Sequence, residues 1–422
     1  MAAMATPSPL PPAPEIPTTF STSLRSWWAT NDKGSAVAER RLFHRLPFFR
    51  AETVGKGLND SPVVASSSLV MLDKPKHFLN TLAITSTKPA SDAPPPVVLL
   101  PGYGAGIGFF FPNLSALAQW AGRRGSSVYA VDWLGMGRSA RVPFTIKSQK
   151  KDIPGRVREA ESFFIDSLEA WRTKMQLEKM TLIGHSLGGY LSVAYALKYP
   201  DRVNKLILLS PAGVPRDPNQ TTAPEREITD NPPDSGASST KSAEPATKRR
   251  VDEIHVEQAA AKPPRNRTRQ LFMYLWEEGW SPFQVVRSTY FWAPMIIGKY
   301  SSRRFSGLTE EETRNMHSYI QHITLSKGSG EYCISHILAP GAHARMPLVD
   351  RIAALKIPVT FVYGDHDWMD PEGGEQSVEN LRKAGNGEAR SYIVNDSGHH
   401  LYLDNPKAVN DLMLRELDRP AV

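Results

Sequence analysis

The sequence predicts an α/β fold with a mostly parallel central sheet flanked by helices, and three observations carry that expectation. Short apolar or β-branched runs recur along the chain, with helically spaced segments between several of them. One run, Met180-Thr-Leu-Ile, passes through Gly184-His-Ser186-Leu-Gly188 into a helix-like segment, the strand–turn–helix context of a nucleophile elbow. Two later runs end in an acid cluster and a histidine pair, in that order.

Composition sets the bounds. The chain has 422 residues, 41% of them hydrophobic and 22% charged, enough for one large domain with an insertion or for two domains. A single cysteine, Cys333, excludes a disulfide framework and thiolate metal clusters. The net charge of +7 and pI near 9.3 suit an anionic membrane surface or anionic substrates, and equally an unselected surface. No pattern resembles a nucleic-acid module, and no run of 18 apolar residues predicts a membrane span. No metal or cofactor is expected.

Residues 1–76 read as an N-terminal extension. Prolines 7, 9, 11, 12, 14 and 17 among Ala, Ser and Thr predict disorder to about residue 22, without the apolar core of a secretory signal. Trp27-Trp28 follow. Val37, Leu42 and Leu46 then recur at helical spacing beside Arg40, Arg41 and Arg45, which suits either a bilayer interface or a helix packed on the main domain. The first half of the core, 77–213, carries strands at Phe78–Thr85, Pro96–Leu100, Ser127–Trp133, Met180–Ile183 and Lys205–Ser210, with helices around Leu114–Ala121 and Gly155–Leu177. Residues 214–269 lose almost every large apolar side chain and predict a disordered insertion, whose basic clusters Lys248-Arg249-Arg250 and Arg265-Asn-Arg267 suit contact with acidic lipid or, the favoured reading, a solvated tether. Residues 270–350 turn aromatic (Phe272, Tyr274, Trp276, Trp280, Phe283, Trp292) and predict a helical cap. An apolar cap over a serine site points to a greasy substrate. The second half of the core, 351–422, supplies strands Val359–Tyr363 and Ser391–Val394. Its final helix opens at Pro406 behind the cap residue Asn405.

A serine needs a base to take its proton, and the base needs an orienting carboxylate. Val359–Tyr363 runs into Gly364-Asp365-His366-Asp367-Trp368-Met369-Asp370, and Ser391–Val394 into Asn395-Asp396-Ser397-Gly398-His399-His400. The expected set is Ser186, Asp367 and His399, with Asp365 and Asp370 as rival acids and His400 as rival base. His185 and His366 read as structural. The oxyanion donors expected are the amides of Leu187, after the nucleophile, and of Tyr103, in the glycine-rich loop 101–108. That loop lacks the acidic ribose partner of a dinucleotide site.

With these motifs in hand, the chain resembles the α/β-hydrolase family over roughly residues 77–213 and 270–418. Within it, the likeness is to a lipid-acting branch of lysophosphatidic acid acyltransferases, N-acylphospholipid lipases and fungal cardiolipin deacylases. The matching residues are Gly102-Tyr-Gly-Ala-Gly, Asp132-Trp-Leu-Gly-Met-Gly-Arg138-Ser139, Gly184-His-Ser-Leu-Gly-Gly-Tyr, Ser210-Pro-Ala-Gly-Val, Gly364-Asp-His-Asp-Trp-Met and Gly398-His-His-Leu-Tyr-Leu-Asp404. The resemblance implies the triad Ser186, Asp367 and His399. It also implies a His-x4-Asp pattern at His399 and Asp404 that the branch associates with acyl transfer, while the local sequence reads Asp404 as a helix-start residue beside Asn405. Pro101 stands where the family usually has His.

The function expected is therefore a serine acyl hydrolase of phospholipids, cardiolipin or a lysophospholipid, acting through an acyl-enzyme. Its partners would be a phospholipid substrate and a membrane surface, and the likeness suggests a mitochondrial address. The alternatives are an acyltransferase using the same site, a small-ester hydrolase or aminopeptidase, and a non-catalytic co-regulator of lipid metabolism. The aromatic cap speaks against an aminopeptidase, and the presence of Ser186 against the co-regulator. The sequence does not choose the acyl acceptor, the chain preference or the oligomeric state.

Overall fold

The computed structural model describes residues 10–50, 61–216, 243–246, 248, 250, 251, 254, 274–276, 278–340 and 342–420. Among the described residues, nine strands form one sheet: β1 (Val63–Met71), β2 (Phe78–Ser86), β3 (Val97–Leu100), β4 (Ser127–Val131), β5 (Met180–His185), β6 (Val203–Leu209), β7 (Ala243–Pro245), β8 (Val359–Gly364) and β9 (Ala389–Val394). Their order is β1-β2-β4-β3-β5-β6-β8-β9-β7. The six strands from β4 to β9 in that order are parallel, and the antiparallel pairs β1–β2, β2–β4 and β9–β7 sit at the two ends. Central strands β3, β5 and β8 are buried at every position because helices cover both faces, which is why they read as unbroken apolar runs.

Helices α3 (Phe111–Arg124), α4 (Ile153–Lys174), α5 (Leu187–Lys198), α10 (Glu372–Lys383) and α12 (Pro406–Asp418) flank the sheet. One apolar core holds Phe164, Leu168 and Trp171 of α4 with Leu182 and Leu206 of the sheet. A second, on the other face, holds Leu114 and Trp120 of α3 with Leu99, Ile183 and Leu412. The start signals act as the sequence predicts. Asn405 caps α12 by accepting from the Ala408 amide at 3.2 Å, with Pro406 in the first turn.

Two features of the amino-terminal region depart from expectation, and a third settles an open alternative. Residues 10–19 are ordered against the domain: Pro17 is buried, Ile16 lies against Gly298, and the Pro11 carbonyl accepts from Arg41 Nε at 2.7 Å. Proline-rich composition removes backbone donors, but side-chain contacts compensate here. Residues 1–9 lie outside the described residues. The core begins at β1, inside the segment read as an extension. Its Ser66-Ser-Ser centre hides the alternation of a half-exposed edge strand. Helix α1 (Phe20–Ala29) precedes α2 (Asp32–Phe43), and α2 takes the packed alternative, burying Ala38, Glu39, Leu42 and Phe43.

The insertion also differs in part. Residues 217–242 and most of 247–273 lie outside the described residues, but Ala243–Pro245 pair with β9 as an edge strand, and Val251 and Ile254 are buried. Three residues gain order from a sheet edge, which local composition does not register. The cap comprises α6 (Pro282–Ser288), α7 (Ala293–Arg304), α8 (Glu310–Leu325) and α9 (Ile334–Ile337). Its aromatic stripe divides: Trp276 is buried, whereas Trp280, Tyr290 and Trp292 are exposed.

Candidate active site

Four loops at the carboxyl ends of parallel strands build the site, three of them after neighbouring or near-neighbouring strands β3, β5 and β8 and the fourth after β9. Strand β5 turns into α5 at Ser186, whose φ of 50° and ψ of −119° are left-handed and strained for a residue with a side chain. Backbone bonds fix that strain. The Ser186 amide donates to the Leu209 carbonyl at 2.9 Å, and its carbonyl accepts from Tyr190 and Ala212, each at 3.1 Å. The small neighbours are needed. A Cβ on Gly188 would strike the Leu100 carbonyl at the end of β3. One on Gly184 would meet the Gly188 carbonyl at 2.5 Å and Ser192 Oγ at 2.6 Å, so this collision is with α5 and not with an adjoining strand.

The structure brings together the three residues that the spacing selects. Ser186 Oγ lies 3.0 Å from His399 Nε2, and His399 Nδ1 lies 3.1 Å from Asp367 Oδ1. All three are buried, His399 and Asp367 at 2% and 1% exposure, and the Trp368 ring centroid lies 4.9 Å from that of His399. A serine hydroxyl, an imidazole and a carboxylate in this series can pass a proton from the hydroxyl to Nε2, while the carboxylate holds Nδ1–H and the ring orientation. Asp367 Oδ1 also accepts from the Met369 amide at 3.0 Å.

The rivals have other work. Asp365 Oδ1 accepts from the Ser397 amide at 3.0 Å and contacts His366 Nδ1 at 2.8 Å, and Asp370 caps its own turn through the Glu372 amide at 2.9 Å. His400 stacks on Phe109, 6.1 Å between centroids. His185 Nε2 faces the His399 carbonyl at 3.0 Å and so props the base loop. Burial, reinforced by the nearby His399 and Arg304, pushes the imidazoles of both His185 and His400 well below the ordinary histidine range, which keeps them neutral.

Asp404 is not a helix-start residue. Its Oδ2 accepts from the Gly398 amide at 2.9 Å, one residue before His399, and its Oδ1 pairs with Arg304 at 2.7 Å, both side chains being 4% exposed. Asn405 alone caps the next helix, and the side chain of Asp404 points into the fold because α11 (Leu401–Asp404) ends there. Arg304, at the carboxyl end of α7, is a residue that the sequence reasoning missed. A charged residue ending a cap helix looks solvated unless its partner is known.

Leu187 is the first residue of α5, so its amide has no intrahelical acceptor and faces the turn at Ser186. Tyr103 lies in the loop after β3, where Gly102 approaches so closely that a Cβ there would sit 3.0 Å from that of Ser186. Both residues line one cleft with Ser186, Ala212, Trp276, Ile334, Leu338, Ala342, Trp368 and Met369. The cleft is narrow and its walls are mostly apolar. It brings the nucleophile–base pair against a greasy wall, with the two residues expected to supply oxyanion donors in the same lining, an arrangement suited to acyl transfer to and from a serine. Trp276 from the cap and Trp368 beside Asp367 were not singled out as lining residues, although both lay inside segments flagged as cap and acid turn. Among the described residues, no group of three His, Cys, Asp or Glu side chains is arranged to hold a metal.

Comparison with known proteins agrees with this fold. The family profile described as alpha/beta hydrolase fold matches residues 95–406. The chain is 32% identical over 401 residues to a 1-acylglycerol-3-phosphate O-acyltransferase of Arabidopsis thaliana, covering 93% of this chain and 82% of that protein. It is 28% identical over 336 residues to a (lyso)-N-acylphosphatidylethanolamine lipase of Homo sapiens, covering 78% and 81%. Among solved structures, a putative hydrolase from Bacillus subtilis shares the fold at a TM-score of 0.50 and 15% identity, over 91% of this chain and 99% of that one. The chain thus belongs to the α/β-hydrolase family, in its lipid-acting branch.

Proposed function

We propose that this protein is a serine acyl hydrolase of glycerophospholipids. Ser186 Oγ attacks the ester carbonyl as His399 Nε2 takes its proton; the amides of Leu187 and Tyr103 hold the oxyanion; the leaving alcohol takes the proton back, and water repeats the sequence to free the fatty acid. The observation that carries this reading is the Ser186–His399–Asp367 relay opening on an apolar cleft. The relatives named as acyltransferase and lipase support a lipid substrate. The test is fatty-acid release from phospholipid and lysophospholipid vesicles by the purified protein and by Ser186→Ala. Unchanged release by the variant would end the mechanism.

A second reading, acyl transfer to a lysophospholipid, is favoured by the name of the Arabidopsis relative. Newly acylated lipid formed from an acyl donor plus a lysolipid, against free fatty acid, separates the two.

The reading includes peripheral attachment to a membrane surface. Helix α1 is turned inside out: Ser23 is buried and donates to the Phe291 carbonyl at 2.6 Å, while Phe20, Leu24 and Trp28, four residues apart, are exposed. Trp292 and Ile296 of the neighbouring cap segment are exposed too, with Arg25, Lys299 and Arg303 around them. An apolar, tryptophan-bearing face rimmed by cations matches the interface of an anionic bilayer. Flotation with anionic vesicles checks this part, and equal flotation of Trp28→Ser/Trp292→Ser would refute it. No helix among the described residues is long and apolar enough to cross a membrane.

A further inference from the structure

The loop 101–108 carries Gly102, Gly104, Gly106 and Gly108, so its own sequence does not fix its path; the surrounding structure has to impose it. Three groups do so. Trp133 Nε1 donates to the Pro101 carbonyl at 3.0 Å, Tyr319 OH accepts from the Gly108 amide at 3.1 Å, and Asp132 Oδ1 accepts from the Ile107 amide at 2.8 Å. The loop lies directly on that carboxylate: a Cβ added to Gly106 would stand 3.0 Å from Asp132 Oδ1.

Asp132 is held in its turn. Its Oδ2 accepts from Asn80 Nδ2 at 2.8 Å and from the Arg138 amide at 2.9 Å. Both of these residues converge on Glu39, a 1% exposed carboxylate from the amino-terminal helix α2. Glu39 Oε2 accepts from Asn80 Nδ2 at 2.7 Å, and Oε1 accepts from the Arg138 guanidinium and from the Ser67 hydroxyl, the latter at 3.2 Å. Glu39 therefore sets the plane of Asn80 and the seat of Arg138, and these set the orientation of Asp132. A carboxylate buried this deeply is costly unless it is paired and hydrogen-bonded, and two of its three partners, Asn80 and Arg138, also hold Asp132 beneath the loop.

We propose that Glu39 is a positioning residue for chemistry at Ser186: through Arg138, Asn80 and Asp132 it holds in place the loop 101–108, which packs against Ser186 and carries Tyr103, the second oxyanion donor of the proposed mechanism. The amino-terminal helix α2 is thereby part of what aims the oxyanion donors. The proposal rests on Ser186 being the nucleophile of an acyl transfer, and its test separates the two ideas.

The test uses the full-length protein with a soluble short-chain ester, p-nitrophenyl butyrate, so that lipid specificity does not enter. Labelling of wild type but not Ser186→Ala by a fluorophosphonate establishes the nucleophile; absence of that labelling difference removes the premise and the proposal with it. Glu39→Gln, which keeps shape but puts amide protons towards Arg138, is then expected to lower kcat roughly 10-fold or more with KM changed less than about 3-fold, because oxyanion donors act on the transition state and little on bound substrate. Affinity for a trifluoromethyl ketone, which forms a tetrahedral adduct on the serine, should weaken by the same factor as kcat/KM. Glu416→Gln is the control. Glu416 is likewise 1% exposed, but bonds Thr360 at 3.0 Å near the opposite end of β8, so its loss should lower Tm and leave kcat per folded molecule unchanged. Should Glu39→Gln fail to fold, Arg138→Lys perturbs the same tether and is expected to show the same split. If the folded Glu39 variant, or Arg138→Lys in its place, keeps wild-type kcat and ketone affinity and differs in Tm alone, Glu39 is only structural and the proposal is overturned.

Discussion

The buried pair of Arg304 and Asp404 joins the cap helix α7 to the loop carrying His399, and removing its halves separately should show what it does. At 4% exposure on both sides and 2.7 Å apart, the two charges are almost wholly withdrawn from water. Breaking a pair so placed by neutralising one member leaves the other charge buried, at a cost of about 3–5 kcal/mol. Arg304→Met and Asp404→Asn should each lose about that much. Asn at 404 retains an acceptor for the Gly398 amide, so the double variant Arg304→Met/Asp404→Asn carries no orphaned charge and little orphaned hydrogen bonding. Its cost should fall to about 1 kcal/mol, which makes the coupling between the two positions several kcal/mol. Urea denaturation reads it directly. For an m-value near 3 kcal/mol/M, each single variant moves the midpoint down by roughly 1 M or more, while the double variant moves back towards wild type. Activity adds a second axis. Asp404→Ala deletes the acceptor for Gly398 and should lower kcat more than Asp404→Asn does, since the amide concerned precedes His399. Singles that cost less than about 1 kcal/mol, or costs that simply add in the double variant, would refute the reasoning.

Four further outcomes follow from the same geometry. Ser186→Ala should lower ester hydrolysis by about 10⁴-fold or more, and Asp367→Asn by about 10³–10⁴-fold while Tm stays near wild type, read from initial rates with p-nitrophenyl butyrate. Gly188→Ala should abolish both soluble expression and activity, because its methyl group has no space against the carbonyl of Leu100. Burial holds His317 down to about 4, so the unfolded chain binds its proton first: stability is intact above the unfolded value near 6.5 and is lost as pH falls towards 4, by ~2 kcal/mol at pH 5, and His317→Gln should lose correspondingly less between pH 7.5 and 5 in urea titrations. Glu39 has the opposite sign, since burial pushes its carboxyl up to about 7: its contribution is present below about 4.5 and is lost as pH rises through 7, so Glu39→Gln should flatten the alkaline side of the same stability profile.

The central strands and the reactive residues were legible because they depend on short-range signals. A strand buried on both faces must be apolar throughout, and a serine on a tight turn must have Gly184 and Gly188 beside it; both are visible in a few adjacent letters. The order acid-then-histidine at successive strand ends was legible for the same reason. What was hidden depends on partners far away in the chain. Strand β1 is held by its full-length antiparallel register with β2, and its exposed serines carry no pattern of their own. Ala243–Pro245 is a strand only because β9 offers an edge. Asp404 looked like a helix-start residue because local grammar favours that role, and its true partners, Gly398 and Arg304, are six and one hundred residues distant. Glu39 sits beside Arg40 and Arg41 in a helix whose local sequence gives no sign that this charge is buried, yet it lies at the centre of a buried polar network.

In the proposed mechanism, the division between hydrolase and transferase reduces to which hydroxyl stands at His399 Nε2 once the acyl group is on Ser186. Nothing in the triad favours water: the base, its carboxylate and the oxyanion amides act identically on any incoming O–H. Selection must therefore come from the walls. Those walls are Trp276, Ile334 and Leu338 from the cap segment and Trp368 and Met369 from the acid loop, and they offer water few partners while covering the alkyl part of a lipid alcohol. Because the cap segment supplies three of these residues and α7 of the same cap is tied to the His399 loop through Arg304, cap position and base position are physically joined. A cap that stays closed over the acyl-enzyme excludes water and favours a lysolipid; one that opens after the first alcohol leaves admits water. On the proposed mechanism the choice of acceptor is thus a property of the cap and its latch, and Ser186, His399 and Asp367 serve both outcomes.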